Sequence, residues 1–129
     1  VLVDAPCTGT GTWRRNPDAK WRMRPGALTE RMSEQAKILR QAVRYVRPGG
    51  RLVYVTCSLL DEENGAQIRA LLDEQPDFAV VPPAETVLAL GEKGFALKEA
   101  ALMGAEGLML TPRRTGTDGF FVSVMKKAA

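Results

Sequence analysis

Cys7 and Cys57 are the only cysteines among the 129 residues, and there is no histidine. A thiolate serves as a nucleophile or a metal ligand. Without histidine, Ser-His-Asp and Cys-His catalysis are excluded within this chain. Two cysteines fill only half of a tetrahedral zinc site, so no metal centre is expected. They are also too few for a disulfide scaffold, and a reducing, cytoplasmic setting is the expectation. Two readings stay open: nucleophilic catalysis, or two small side chains packed in a core.

The surrounding segments decide whether the two sulfurs can meet. Val1–Val3 is a short apolar run stopped by Asp4-Ala5-Pro6, and Cys7 follows. Arg51–Thr56 is apolar and β-branched or aromatic after its first residue and runs straight into Cys57. Between them Leu28, Met32, Ala36, Leu39, Val43 and Val46 recur at steps of three and four, which predicts an amphipathic helix. Thr29 is its expected N-cap, and Pro48-Gly49-Gly50 ends it. Strand, helix, strand is the signature of a parallel pair with a right-handed crossover. Both cysteines then sit at the carboxyl ends of neighbouring strands, the edge where open α/β sheets bind ligands.

The crossover is basic. Residues 12–51 hold eleven Lys/Arg against three Asp/Glu, a balance of +8, while the rest of the chain carries −5. Such asymmetry points to a polyanion. Arg14, Arg15, Lys20 and Arg22 interleave with Trp13 and Trp21, a mixture suited to phosphate contact and base stacking. Packing of both tryptophans onto the domain is the competing reading. Lys37, Arg40, Arg44 and Arg47 read as the solvated side of the helix. The glycines of Thr8-Gly9-Thr10-Gly11 allow a tight loop or close approach of a ligand. No apolar run reaches the length of a membrane span.

Further on, Asp61-Glu62-Glu63 opens an acidic helix with Ile68, Leu71 and Leu72 inward, and Phe78–Val81 reads as a third strand. Residues 84–107, with four glycines, suggest short strands or loops. Leu108–Leu110 and Gly119–Lys127 read as the arms of an antiparallel hairpin.

Asp4-Ala5-Pro6-Cys7-Thr8-Gly9-Thr10-Gly11 with Arg15-Asn16-Pro17-Asp18, then Tyr54-Val55-Thr56-Cys57-Ser58 with Glu62-Glu63-Asn64, resemble the Sun/Fmu family. Leu110-Thr111-Pro112 and Gly116-Thr117-Asp118-Gly119-Phe120-Phe121 resemble its last strands. These are S-adenosylmethionine-dependent RNA cytosine-5 methyltransferases whose bacterial members act on 16S ribosomal RNA. The resemblance implies a Rossmann-like α/β fold, with parallel strands, flanking helices and a terminal hairpin. It also implies RNA as partner and S-adenosylmethionine as cofactor. By the same resemblance Cys57 is the nucleophile, Cys7 aids product release, and Asp4 lies by cofactor and base. The family's glycine-rich cofactor turn is absent from these residues. Residues 1–129 therefore read as a partial catalytic domain, its carboxyl-terminal half, expected to be inactive alone and to associate through the sheet edge at Val1–Val3. The alternative is a non-catalytic RNA-binding or structural fragment in which the basic loop holds RNA and the cysteines pack.

Overall fold

The computed structural model describes residues 1–129. Its centre is one six-stranded mixed sheet. Strand β1 (Leu2–Asp4) pairs in parallel with β2 (Arg51–Thr56), in the register Leu2–Val53, Val3–Tyr54 and Asp4–Val55. The crossover between them contains helix α1 (Ala27–Ala42). The remaining strands are β3 (Phe78–Val80), β4 (Leu102–Met103), β5 (Leu108–Leu110) and β6 (Phe120–Lys127). The order is β1-β2-β6-β5-β4, and β6 is antiparallel to β2 along one side. Its other side is shared, with β5 on the amino-terminal half and β3 on the carboxyl-terminal half, both antiparallel. Thus only β1 and β2 are parallel, and β2 lies between one parallel and one antiparallel neighbour.

Helices cover both faces of the carboxyl-terminal strands because successive side chains in β6 point to opposite sides. Phe121 and Met125 join Leu39, Val43, Leu52, Tyr54, Ile68 and Leu71 in the main core, beneath α1 and α2 (Gly65–Glu74). Val122 faces the other way and packs on a smaller cluster of Val87, Ala101 and Leu108. That cluster is supplied partly by α3 (Pro83–Leu88) and flanked by α4 (Glu92–Ala100). Burying a side chain of the Leu or Ile type contributes roughly 1.5–3 kcal/mol, so the main core dominates the stability of the sheet.

Two expectations are corrected. Helix α1 is capped by Gly26, whose φ of 81° opens a left-handed turn after Pro25; Thr29 lies inside the first turn. Residues 84–107 are largely helical, because Pro83 occupies a first-turn position where its missing N–H costs nothing. Within α4, Gly94 is a packing residue rather than a loop signal: a Cβ there would lie 1.9 Å from the Val87 carbonyl oxygen. The third strand forms as expected at Phe78–Val80 and runs antiparallel to β6. The expected hairpin forms from β5 and β6, with a short helix α5 (Pro112–Thr115) in its connection.

Candidate active site

The parallel register of β1 and β2 carries the chain to Cys7 on one side and Cys57 on the other. Their Sγ atoms lie 3.3 Å apart, both thiols free and half-buried. Ala5 N donates to the Val55 carbonyl at 2.9 Å, extending the pairing beyond the strands proper. The Cys7 loop then turns through Gly9, with φ of 72°, into a 3₁₀ turn at Thr10–Thr12.

Gly11 permits the next contact. Its N–H donates to the Cys57 carbonyl at 2.9 Å, and its own carbonyl accepts from Gly119 N at 2.7 Å. A Cβ on Gly11 would fall 2.3 Å from the Gly119 carbonyl oxygen and 2.7 Å from that of Cys57. The close approach that these glycines allow is therefore between three segments of the chain itself.

The sulfur contact sets the electrostatics. The Cys7 thiol donates to Cys57, which holds Cys57 down at about 7, from 9.0, with help from a backbone N–H. Burial and the carboxylates of Asp4 and Glu63 oppose that shift. The same hydrogen bond, with burial, pushes the Cys7 thiol well above its ordinary value. As pH rises through about 7 the pair keeps its proton on Cys7 and Cys57 becomes a thiolate, the condition for nucleophilic chemistry. One cation feels this charge: Arg15 lies in the field of Cys57.

Behind the sulfurs lies a buried polar cluster. Glu63 is wholly inaccessible and accepts from Thr8 N at 2.8 Å, Thr8 Oγ1 at 2.6 Å, Gln35 Nε2 at 3.1 Å and Ser58 Oγ. Asn64 accepts from Thr56 Oγ1 at 2.5 Å and donates to the Ser58 carbonyl at 2.8 Å. Sequence reasoning placed Glu63 at an acidic helix start and overlooked Gln35. The one available signal was an acidic residue and its amide neighbour six and seven positions after a strand-end cysteine.

The remaining predicted residues ring this centre. Asp4 is exposed at the end of β1, and its carboxylate enters none of the ion pairs of the chain. Arg15 is tied to Asp118 through Nε and Nη2 at 3.1 and 3.0 Å, linking the basic loop to the approach of β6. Arg22 pairs with Asp18 at 3.2 Å, and Arg14 is exposed. Lys20 lies 4.7 Å from the ring centre of Trp21, itself 80% exposed. Trp13 is partly covered, so the two tryptophans do not behave alike. A cleft of about 280 Å³ opens beside Cys7, lined by Thr8, Arg22, Met23, Arg24 and Arg31.

The sequence profile described as 16S rRNA methyltransferase RsmB/F matches residues 1–126. A protein named ribosomal RNA small subunit methyltransferase B, from Sodalis glossinidius, is 42% identical over 127 residues, which are 98% of this chain and 25% of that protein. A probable ribosomal RNA small subunit methyltransferase B from Bacillus subtilis is 39% identical over 127 residues, 98% of this chain and 27% of its own length. The chain thus spans about a quarter of these relatives. The crystal structure of PH0851 superposes with a TM-score of 0.79 at 38% identity, covering 98% of this chain and 26% of that one. NSun6 from Pyrococcus horikoshii, solved with SFG, gives 0.69 at 23% identity over 99% of this chain and 29% of its own, a likeness of fold.

Proposed function

The chain belongs to the 16S rRNA methyltransferase RsmB/F family, and from that premise we propose that it carries the reacting groups for methylation of a ribosomal RNA cytosine at carbon 5, with S-adenosylmethionine as donor. The observation that carries this reading is the sulfur pair: two half-buried thiols whose Sγ atoms lie 3.3 Å apart, a contact that lowers Cys57 and raises Cys7.

Carbon 5 of cytosine is a weak nucleophile, and a thiolate answers that problem. Cys57 Sγ adds to carbon 6, an S–C bond forms, and the carbon 5–carbon 6 π pair shifts onto carbon 5 and the ring. Carbon 5 then has the electron density to form a carbon–carbon bond. S-adenosylmethionine, when bound, supplies the electrophilic methyl group. Loss of the carbon 5 proton to a base returns its electron pair to the carbon 5–carbon 6 bond, and the Cys57 thiolate leaves. Cys7 aids that departure by donating its S–H to the emerging thiolate across the 3.3 Å contact.

The groups present suit these partners. The unpaired Asp4 carboxylate at the end of β1 is matched to a cationic amino-acid cofactor and would hold it beside the thiols. The cleft with Arg22, Arg24 and Arg31 offers guanidinium groups to phosphates flanking an unstacked base. Arg14, Arg15, Lys20 and the exposed Trp21 extend that cationic surface for RNA.

The test is Cys57→Ala in the full-length protein. Methyl incorporation into RNA from a labelled donor is expected to vanish, and retained activity would remove Cys57 as nucleophile. Cys7→Ala is expected to accumulate a covalent RNA adduct that survives denaturing electrophoresis.

A further inference from the structure

We propose that Glu63 is the positioning residue of this site: its buried carboxylate clamps the Cys7 loop to the Cys57 loop and so fixes the contact between the two sulfurs. The inference rests on the reading of Cys57 as the reactive thiol.

Three of the four donors that Glu63 gathers belong to residues next to a cysteine. Thr8, which donates both its N–H and its hydroxyl, follows Cys7. Ser58, whose hydroxyl donates to the same carboxylate, follows Cys57. Gln35, reaching up from α1, gives one N–H to Glu63 and another, at 2.8 Å, to the carbonyl of Pro6, the residue before Cys7. The Glu63 carbonyl accepts from the Tyr54 hydroxyl at 2.7 Å, which anchors the clamp to β2. Asn64 completes it by holding Thr56 and Ser58, the two neighbours of Cys57.

A carboxylate with no exposed surface is costly unless its oxygens are satisfied. Here four donors satisfy them, and they come from three separate segments. An apolar side chain could fill the same space but could not tie both loops together. The oxygens are committed to these donors, so they are not available to take a proton from substrate. The role is positioning.

The charged groups facing Cys57 are Cys7, Asp4 on β1, Glu63, and Arg15 on the basic loop; Arg31 on α1 faces Cys7. Glu63 raises the Cys57 proton affinity through its charge. Removing that charge alone would move the titration of Cys57 downward. Releasing the clamp separates the sulfurs, removes the donor from Cys7, and moves it upward.

The experiment is peptide-resolved alkylation of Cys57 by iodoacetamide across pH 5–10 in Glu63→Gln and Glu63→Asp, beside the unaltered protein. The Gln variant loses the charge, whereas the Asp variant keeps it and loses reach. In both, the midpoint is expected to rise from about 7 toward the ordinary 9.0. A midpoint that stays or falls in Glu63→Gln, in a protein with native circular dichroism, overturns the proposal. Should either variant fail to fold, Thr8→Ala decides: it removes a single hydrogen bond of the clamp and is expected to move the midpoint in the same direction by less, and no movement overturns the proposal. Because the readout is thiol titration, it stands apart from the methylation test. An active Cys57→Ala enzyme would defeat the methyltransferase mechanism and leave the clamp result unaffected.

Discussion

Removing the Cys7 thiol takes its sulfur away from the 3.3 Å contact with Cys57. In Cys7→Ala the hydrogen bond that chiefly lowers Cys57 is gone, while burial and the charges of Asp4 and Glu63 persist. The midpoint of Cys57 should move from about 7 to 9.0 or above. At pH 7 the thiolate fraction falls from about one half to about one hundredth, roughly fiftyfold. A more basic thiolate is also a better nucleophile, with a Brønsted slope of about 0.4–0.5. Two units of basicity return about six- to tenfold. Alkylation at pH 7 should therefore slow by only about five- to eightfold. At pH 10, where both proteins hold Cys57 as thiolate, the variant should react about six- to tenfold faster. The two pH–rate curves must cross. Iodoacetamide labelling of the Cys57 peptide over pH 5–10 reads this directly. Superimposable curves with a midpoint near 7 would show that Cys7 does not set the charge on Cys57, and the assignment of proton to one sulfur and charge to the other would fall.

Two further outcomes are expected. Gly11→Ala should destabilise the protein by about 2–5 kcal/mol, combining overpacking with strain on two backbone hydrogen bonds; a change under about 0.5 kcal/mol in urea unfolding would mean that the three segments part easily. Replacing Arg14, Arg15, Lys20 and Arg22 by Ala should lower the salt dependence of RNA binding by about 0.7 per lost phosphate contact, and an unchanged slope would exclude the basic loop from the interface.

The parallel pair was legible because both strands carry uninterrupted apolar runs and the helix between them keeps a strict three-four spacing. Those local patterns, with the handedness of the crossover, suffice to bring residues 50 positions apart into contact. The polar cluster was not legible. Glu63 and Gln35 look like surface residues by type, and only the folded loops deliver the donors that let them be buried. Residues 84–107 misled for a related reason. Gly91, with φ of 68°, does make a turn, but Gly94 is helical and serves contact with Val87, and sequence spacing does not separate these uses of glycine. The basic loop shows the same limit. Arg15 and Trp21 sit six residues apart, yet one is engaged by Asp118 and the other projects into solvent.

Strand β6 touches β2, β3 and β5, yet it comes after all of them along the chain. During synthesis the ribosome releases Cys7 and Cys57 well before the strand that braces their sheet. At roughly 5–20 residues per second, the nascent chain spends several seconds with β2 paired on one side alone and Gly11 still waiting for Gly119. The sheet under the two sulfurs is thereby completed last, because β6 is the only strand that pairs with the free side of β2.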